Sequence, residues 1–300
     1  MLVAVTDDEP RVLTVGQAKS LPSGPFAVTD RSLQVSLRAW VEQQTGHPLG
    51  YVEQLYTFAD RNRTSTPGEP PGGPVIAISY LGLTREAQVP EGFAATWQSW
   101  YRYFPWEDRR AGSGGMPPVL LARLHAWAAP DPAQAERVAL TFGASHLSVE
   151  GPVWNEELVL QRYEILHEAG LVPESPNPMT GGSPAIGAAM LHDHRRILAT
   201  AMARLRAKIK YRPVIFELMP ETFTLLHLQR VFEAVAGRLL HKQNFRRLVK
   251  QQELVEETGA LAFDTGGRPA KLHRFKRSIM QERAASGTKL PLAPARERQS

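Results

Sequence analysis

The chain has 300 residues, of which 43% are hydrophobic and 22% charged, with no cysteine. This is the composition of a globular protein with room for two domains and their cores, and it excludes disulfides and thiolate metal sites. No apolar run reaches the ~18 residues of a membrane span, and "MLVAVTDDEPRVLTV" lacks the basic flank and apolar core of a secretion signal. A cytoplasmic protein without a membrane partner is therefore expected. The net charge of +5 is uneven: residues 201–300 hold 20 Lys+Arg against 9 Asp+Glu, whereas residues 1–200 hold 15 against 21. A basic C-terminal third suits a polyanionic partner, although a solvated Arg-rich surface has the same composition.

In chain order, "LVAVT" (2–6) and "RVLTV" (11–15) read as short strands around an acidic turn, and "SLPSGPF" (20–26) as a Pro/Gly turn. In "DRSLQVSLRAWVEQQTG", Leu33, Leu37, Trp40 and Val41 recur at helical spacing, and Gly46 is placed to end the helix. "GYVEQLYTF" (50–58) and "PVIAISYLGL" (74–83) are β-rich, with a polar hairpin loop or flexible connection between them. "WQSWYRYFPWEDRR" is either an aromatic, basic binding surface or core; such density of aromatics favours core. "PVLLARLHAWA", "PDPAQAERVALTF" and "NEELVLQRYEILHEAGL" read as helices, followed by a Pro/Gly/Ser loop and a helix over 192–211. His192 and His194 are two residues apart, which on a helix points them to different faces and disfavours joint metal ligation. Pro213 ends that helix, so a domain boundary is expected between about 205 and 213.

The C-terminal third has the clearest pattern. A helix over about 225–236 carries the stripe Leu225, Leu228, Val231, Phe232 and Val235, with Thr224 as N-cap and Gly237 just past its end. A short turn leads to "HKQNFRRLVKQQEL", where Phe245, Leu248 and Val249 form the apolar seam and Gln243, Arg246, Arg247 and Lys250 face away. Two helices across a tight Gly turn, the second presenting Gln, Arg and Lys, form a helix-turn-helix. Two strand-like runs then flank "DTGG", with Arg268, Lys271, Arg274, Lys276 and Arg277 on or after the turn, as in a basic wing. These side-chain types read base edges or clamp phosphates.

Two resemblances follow from these motifs. The order strand, "LPSGPF", helix ending in "TG", "YVEQLYTF", strand, "WYRYFPWED" resembles the Nudix domain. "FTLLHLQRVFEAVAG", "NFRR", "GRPAKLHRF" and the helix start "HDHRRIL" resemble the Nudix-related transcriptional regulators of NAD metabolism. The likeness covers about 11–106 and 191–277. It implies an α+β fold: a Nudix-like α/β/α sandwich with a helical insertion, followed by a C-terminal winged helix-turn-helix. The expected domains are 1–205 for ligand sensing (with 107–190 as the insertion), 206–280 for DNA, and 281–300 as a disordered tail.

Active Nudix enzymes carry G-x5-E-x7-R-E-U-x-E-E-x-G-U, whose glutamates hold magnesium because hard cations want clustered carboxylates. A register fixed on Gly46 puts Gln43 and Gln44 at the Glu-Glu pair, Ala39 and Trp40 at Arg-Glu, and Arg31 at the upstream Glu. A slide by one residue recovers Arg38 and Glu42 but leaves Gln43 and Ala39. Either way the magnesium set is missing, so no metal, cofactor or catalytic residue is expected.

The resemblance implies a dimeric repressor on a double-stranded, palindromic operator, controlling NAD synthesis or salvage and sensing an NAD-related nucleotide such as ADP-ribose. Gln243, Arg246 and Lys250 are the candidates for base contact, and Arg247, Arg268, Lys271 and Arg274 for phosphate; Asn244 either joins them or holds the turn. For the ligand, Arg31 and Arg38 are candidates for the diphosphate and Tyr51 and Tyr56 for base or ribose, with plain surface and plain core as the alternatives for Arg38 and Tyr56. The rival reading is a Nudix hydrolase of nucleoside diphosphate derivatives using Glu42, Glu53 and Glu69.

Overall fold

The structure, a computed structural model, describes residues 1–26, 31–59, 76–112, 115–143, 154–178, 184–263, 269–276 and 278. Two compact units divide the chain: Met1–Met219 with Gln229–Leu240, and Pro220–Leu228 with His241–Ser300. This division falls later than the boundary expected at 205–213. The helix that carries residue 205 continues to Lys208, and Arg206 within it is wholly buried in the first unit.

The first unit is built on a sheet ordered β3-β4-β1-β2-β5. Its strands are β1 (Leu2–Thr6), β2 (Glu9–Val15), β3 (Tyr51–Phe58), β4 (Ala77–Leu83) and β5 (Ala95–Ser99). Strands β1 and β4 run parallel and the other neighbours antiparallel. The acidic turn between β1 and β2 places both Asp7 and Asp8 at positive φ, the two-residue geometry that matches strand twist and that Asp tolerates. Successive side chains in a strand point to opposite faces, yet Val3, Ala4, Val12 and Leu13 are all fully buried, so both faces are covered.

Helix α1 (Leu33–Thr45) covers one face. Ser32 caps it by accepting from the Val35 N–H, and Gly46 closes it at φ +65. Val41 and the partly buried Leu37 pack with Leu2, Leu13 and Trp97. Pairing aligns Val3, Leu83 and Tyr51 across the sheet, on the side opposite Leu2. Lys208 of helix α5 (His194–Lys208) reaches Tyr51 and Glu53 on that second face, so α5 lies there. The polar connection expected between β3 and β4 spans residues 60–75, which lie outside the described residues, but the two strands do pair as a hairpin.

The aromatic stretch is core: Trp100, Tyr101, Tyr103, Phe104 and Trp106 are all buried, in and around two 3-10 turns. Its surface reading is overturned. Helices α2 (Pro118–Ala128), α3 (Pro132–Phe142) and α4 (Val159–Glu168) occupy the span expected to be helical. A fully buried ion cluster joins the second 3-10 turn to α4 and α5. Glu107 accepts from Arg162 at 2.6 and 3.0 Å and from Arg206 at 2.6 Å. Arg206 also donates to the carbonyls of Val235 and Glu156, and Arg162 lies 3.9 Å from the centre of the Trp154 ring.

Helix α6 (Leu225–Ala236) ends against this cluster. The Tyr101 hydroxyl donates to the Ala234 carbonyl and the Arg109 N–H to that of Gly237. Gly237 is required here twice over: its φ is +71, and a Cβ would stand 2.2 Å from the Glu107 carbonyl oxygen. The turn that follows is closed by Glu233, which accepts from the Leu240 N–H and from Gln229 Nε2, both at 2.8 Å.

In the second unit, strand β6 (Thr222–Thr224) leads into α6, whose N-terminus is capped by Thr224 Oγ1 accepting from the His227 N–H. Helix α7 (Lys242–Gln251) follows, then β7 (Val255–Ala262) and β8 (Ala270–Phe275), in a sheet ordered β6-β8-β7. Gly259 at φ +82 sits where the β7–β8 register shifts. Among the described residues of this unit, Phe223, Leu228, Phe245, Leu254 and His273 are buried. Leu248 departs from expectation: placed in the apolar seam by spacing, it is 51% exposed. The tail at 281–300 lies outside the described residues.

Candidate nucleic-acid interface and ligand pocket

Helix α7 is amphipathic to an unusual degree because one ring anchors it. Only Phe245 is buried, with Val249 half-buried, while Gln243, Asn244, Arg246, Arg247 and Lys250 are all exposed. At about 100° per residue, the direction opposite Phe245 and Val249 is occupied by Arg247, with Gln243 and Lys250 together on one side of it and Arg246 displaced farther toward that flank. Neither Arg246 nor Arg247 forms an ion pair among the described residues.

The wing strands differ. Arg274 pairs with Glu256 at 2.6 Å and Lys271 with Glu257 at 2.8 Å, cross-strand pairs set by the β7–β8 register. The hydrogen bond from Lys271 holds the Glu257 carboxyl below its ordinary range. These exposed pairs are weak and can exchange for phosphate. Arg268 lies outside the described residues.

In the first unit the residues singled out for a ligand are not brought together. The Arg38 guanidinium is taken up by the backbone carbonyls of Leu49 and Gly50, where it fixes the α1–β3 loop. Tyr51 points to the opposite face of the sheet, donating to Glu53 at 2.5 Å. Tyr56 is exposed with its ring edge-on to Phe58, and Arg31 is exposed before α1. None of the four lines the apolar cavity beside α1.

That cavity, about 440 Å³, lies between the "LPSGPF" loop, α1, β4 and the start of α5. Its walls are apolar, with Leu33, Leu37 and Trp40 from α1 and Ile78 and Tyr80 from β4, and its polar rim includes His192 and His194. This size and lining suit a ring or sugar. The Trp40 indole donates to the Pro25 carbonyl at 3.0 Å, and Gly24 lies so close to the ring that a Cβ would sit 2.2 Å from it. Sequence reading missed this cavity, although "LPSGPF" and "HDHRRIL", two carriers of the family resemblance, both line it.

His194 Nδ1 accepts from the Leu21 N–H at 3.0 Å, so this nitrogen carries no proton. Burial, and then the neighbouring His192, push its pKa down from 6.5 to about 4. The unfolded chain therefore binds a proton that the folded chain refuses, and stability falls as pH drops from about 6.5 toward 4, by a few kcal/mol at most. Melting temperature measured against pH should show this loss, and His194→Asn, which keeps an acceptor without titrating, should flatten it.

The Nudix helix itself is modified in a way spacing alone could not show. Gln44 Oε1 accepts from the Ser23 N–H at 3.2 Å and its Nε2 donates to the Ser23 carbonyl at 2.6 Å. A carboxylate at this position could make the first bond but not the second. Gln43 and Glu42 are exposed, Glu53 is held by Lys208 and Tyr51, and Glu69 lies outside the described residues. Among the described residues, no three His, Asp or Glu side chains are grouped to hold a metal ion, so this donor set does not fit the magnesium of the Nudix enzymes.

A Nudix-like α+β domain joined to a winged helix is the class of protein these elements define. Residues 215–275 match the family model described as the NrtR DNA-binding winged helix domain. The chain is 42% identical over 83 residues to the ADPR responsive transcriptional repressor NtrR of Acinetobacter baylyi, a match to 28% of this chain and 33% of that protein. It thus spans about a third of the length of that curated relative. Shewanella oneidensis NrtR complexed with a 27mer DNA superposes with a TM-score of 0.54 at 20% identity, over 93% of each chain. A MutT/nudix family protein from Enterococcus faecalis gives 0.50 at 18%, over 92% of this chain and 85% of that one. At these identities the structural likenesses establish the fold. Among the described residues no helix is long and apolar enough to cross a membrane.

Proposed function

We propose that the chain is a DNA-binding transcriptional repressor of NAD synthesis or salvage genes, with a Nudix-like domain that senses an NAD-related nucleotide such as ADP-ribose without hydrolysing it. The winged-helix match, the repressor relative and the exposed cationic face of α7 support the DNA half. On that face Arg247, Gln243 and Lys250 address base edges and Arg246 phosphates, with Lys271 and Arg274 of the wing strand as further phosphate contacts. A dimer on a palindromic operator would double the short site that one helix can read. The effector enters the α1 cavity with its base or ribose, and it releases DNA by binding the DNA-free conformation more tightly. Fluorescence anisotropy with DNA from upstream of the adjacent genes should show salt-sensitive, sequence-preferring binding that ADP-ribose reverses. Binding that ignores sequence would sink this reading.

The clamp between Gln44 and Ser23 is the observation that carries catalytic silence. Gln44→Glu restores the family's carboxylate but sets it against the Ser23 carbonyl. It should cost about 1–2 kcal/mol of stability and release no AMP from ADP-ribose and magnesium, in melting and chromatographic assays. Saturable AMP release by the unmodified chain would favour the hydrolase instead.

A further inference from the structure

Seven cationic side chains project from α5 and the turn that continues it to Arg212, whose N–H still bonds the Lys208 carbonyl. Arg195 pairs with Glu174, Arg196 with Glu164, Arg206 with Glu107, Lys208 with Glu53, and Lys210 with Glu156 and Glu157. Arg204 and Arg212 form no ion pair among the described residues. These two flank Lys208 at four-residue spacing, and all three line one cleft of about 360 Å³ with Glu53, Gln54 and Tyr211. Four residues of helix rise about 6 Å, which spaces Arg204 from Lys208, and Arg212 follows in the turn just past the helix end.

The trio has a fixed centre and free ends. Glu53 and the Tyr51 hydroxyl hold the Lys208 ammonium in place. Burial and then the neighbouring Arg212 push the Lys208 pKa down. Glu53 and the exposed Glu217, which acts on Tyr51, are the acids on this side. Tyr211 is 81% exposed, an aromatic face left in water beside the cations. Guanidinium groups around an ammonium suit phosphate oxygens, and an exposed ring suits a base of any identity.

We propose that this cleft is a second ligand site, binding a nucleotide through its phosphates at Arg204, Lys208 and Arg212 and through its base on Tyr211. It lies on the sheet face opposite the α1 cavity, so it stands whether or not that cavity holds the effector. Calorimetric titration of the full chain with ADP, inorganic pyrophosphate and adenosine tests it. Pyrophosphate and ADP should bind, and Arg204→Gln with Arg212→Gln should weaken both by at least about tenfold. Tyr211→Ala should weaken ADP by about fivefold or more while sparing pyrophosphate, and adenosine should show no dependence on the two arginines. All three substituted side chains are exposed, so folding should survive, as a melting curve will show. Equal pyrophosphate binding by the double variant, or none by the unmodified chain at millimolar concentration, overturns the proposal. So does duplex DNA of unrelated sequence binding through these arginines when ADP does not, which would make the cleft a nucleic-acid backbone contact.

Discussion

Replacing Arg247 and Lys250 together by Ala should reduce binding to the preferred DNA by about thirtyfold or more, since a base-directed cationic contact is worth roughly 1–3 kcal/mol. Binding to unrelated DNA should fall less, so the preference itself should shrink. Arg246→Ala should act differently: displaced toward the flank of α7, it should weaken all sequences alike and lower the slope of log affinity against log salt by about one. All three side chains are exposed and none anchors the helix, so melting temperatures should stay within about a degree or two of the parent. The contrast separates recognition from attraction, which loss of binding alone cannot do. If Arg246→Ala removes sequence preference and Arg247→Ala does not, the helix is rotated from the orientation that Phe245 sets.

The C-terminal unit was largely legible in the sequence because its signals are local. Thr224 as cap, Gly237 as stop and the basic second helix each need only their neighbours to be recognised, and each stands where spacing puts it. Leu248 was misplaced because spacing states which residues could share a face, not how wide the buried face is; here one phenylalanine suffices. The acidic partners of the wing cations were not legible, for a different reason. Glu256 and Glu257 are distant in sequence from Arg274 and Lys271, and only the β7–β8 register makes them partners. The ligand residues were the least legible. Charge and aromaticity drew attention to Arg38 and Tyr51, but a long-range contact decides each: Arg38 to its own loop, Tyr51 to Lys208. Gln44 was noticed for the charge it lacks, whereas its role is the amide that it supplies.

Glu107→Gln should be among the most destabilising single changes in the molecule, although Glu107 belongs to none of the proposed sites. Its carboxylate is the acid shared by Arg162 and Arg206, and all three side chains are fully buried. One carboxylate already serves two guanidinium ions: burial pushes the Arg162 pKa down despite Glu107, whereas that of Arg206 is raised. Removing the charge leaves both cations in a dry interior, where breaking such a pair costs about 3–5 kcal/mol. For a unit of this size that is a fall of roughly 10 °C in melting temperature. Arg162→Met or Arg206→Met should cost less, because each leaves a balanced one-to-one pair, and Arg162→Met less than Arg206→Met, because Arg206 also holds the Val235 carbonyl at the end of α6. The order Glu107→Gln, Arg206→Met, Arg162→Met, read by denaturant unfolding, is the test; equal costs for Glu107→Gln and Arg162→Met would mean that water reaches the cluster. Because Arg206, Tyr101 and Arg109 fix the carbonyls of Val235, Ala234 and Gly237, the cluster also sets where the first helix of the helix-turn-helix stops. Arg206→Met should therefore weaken DNA binding a few-fold even well below its melting temperature, through a residue that touches no DNA.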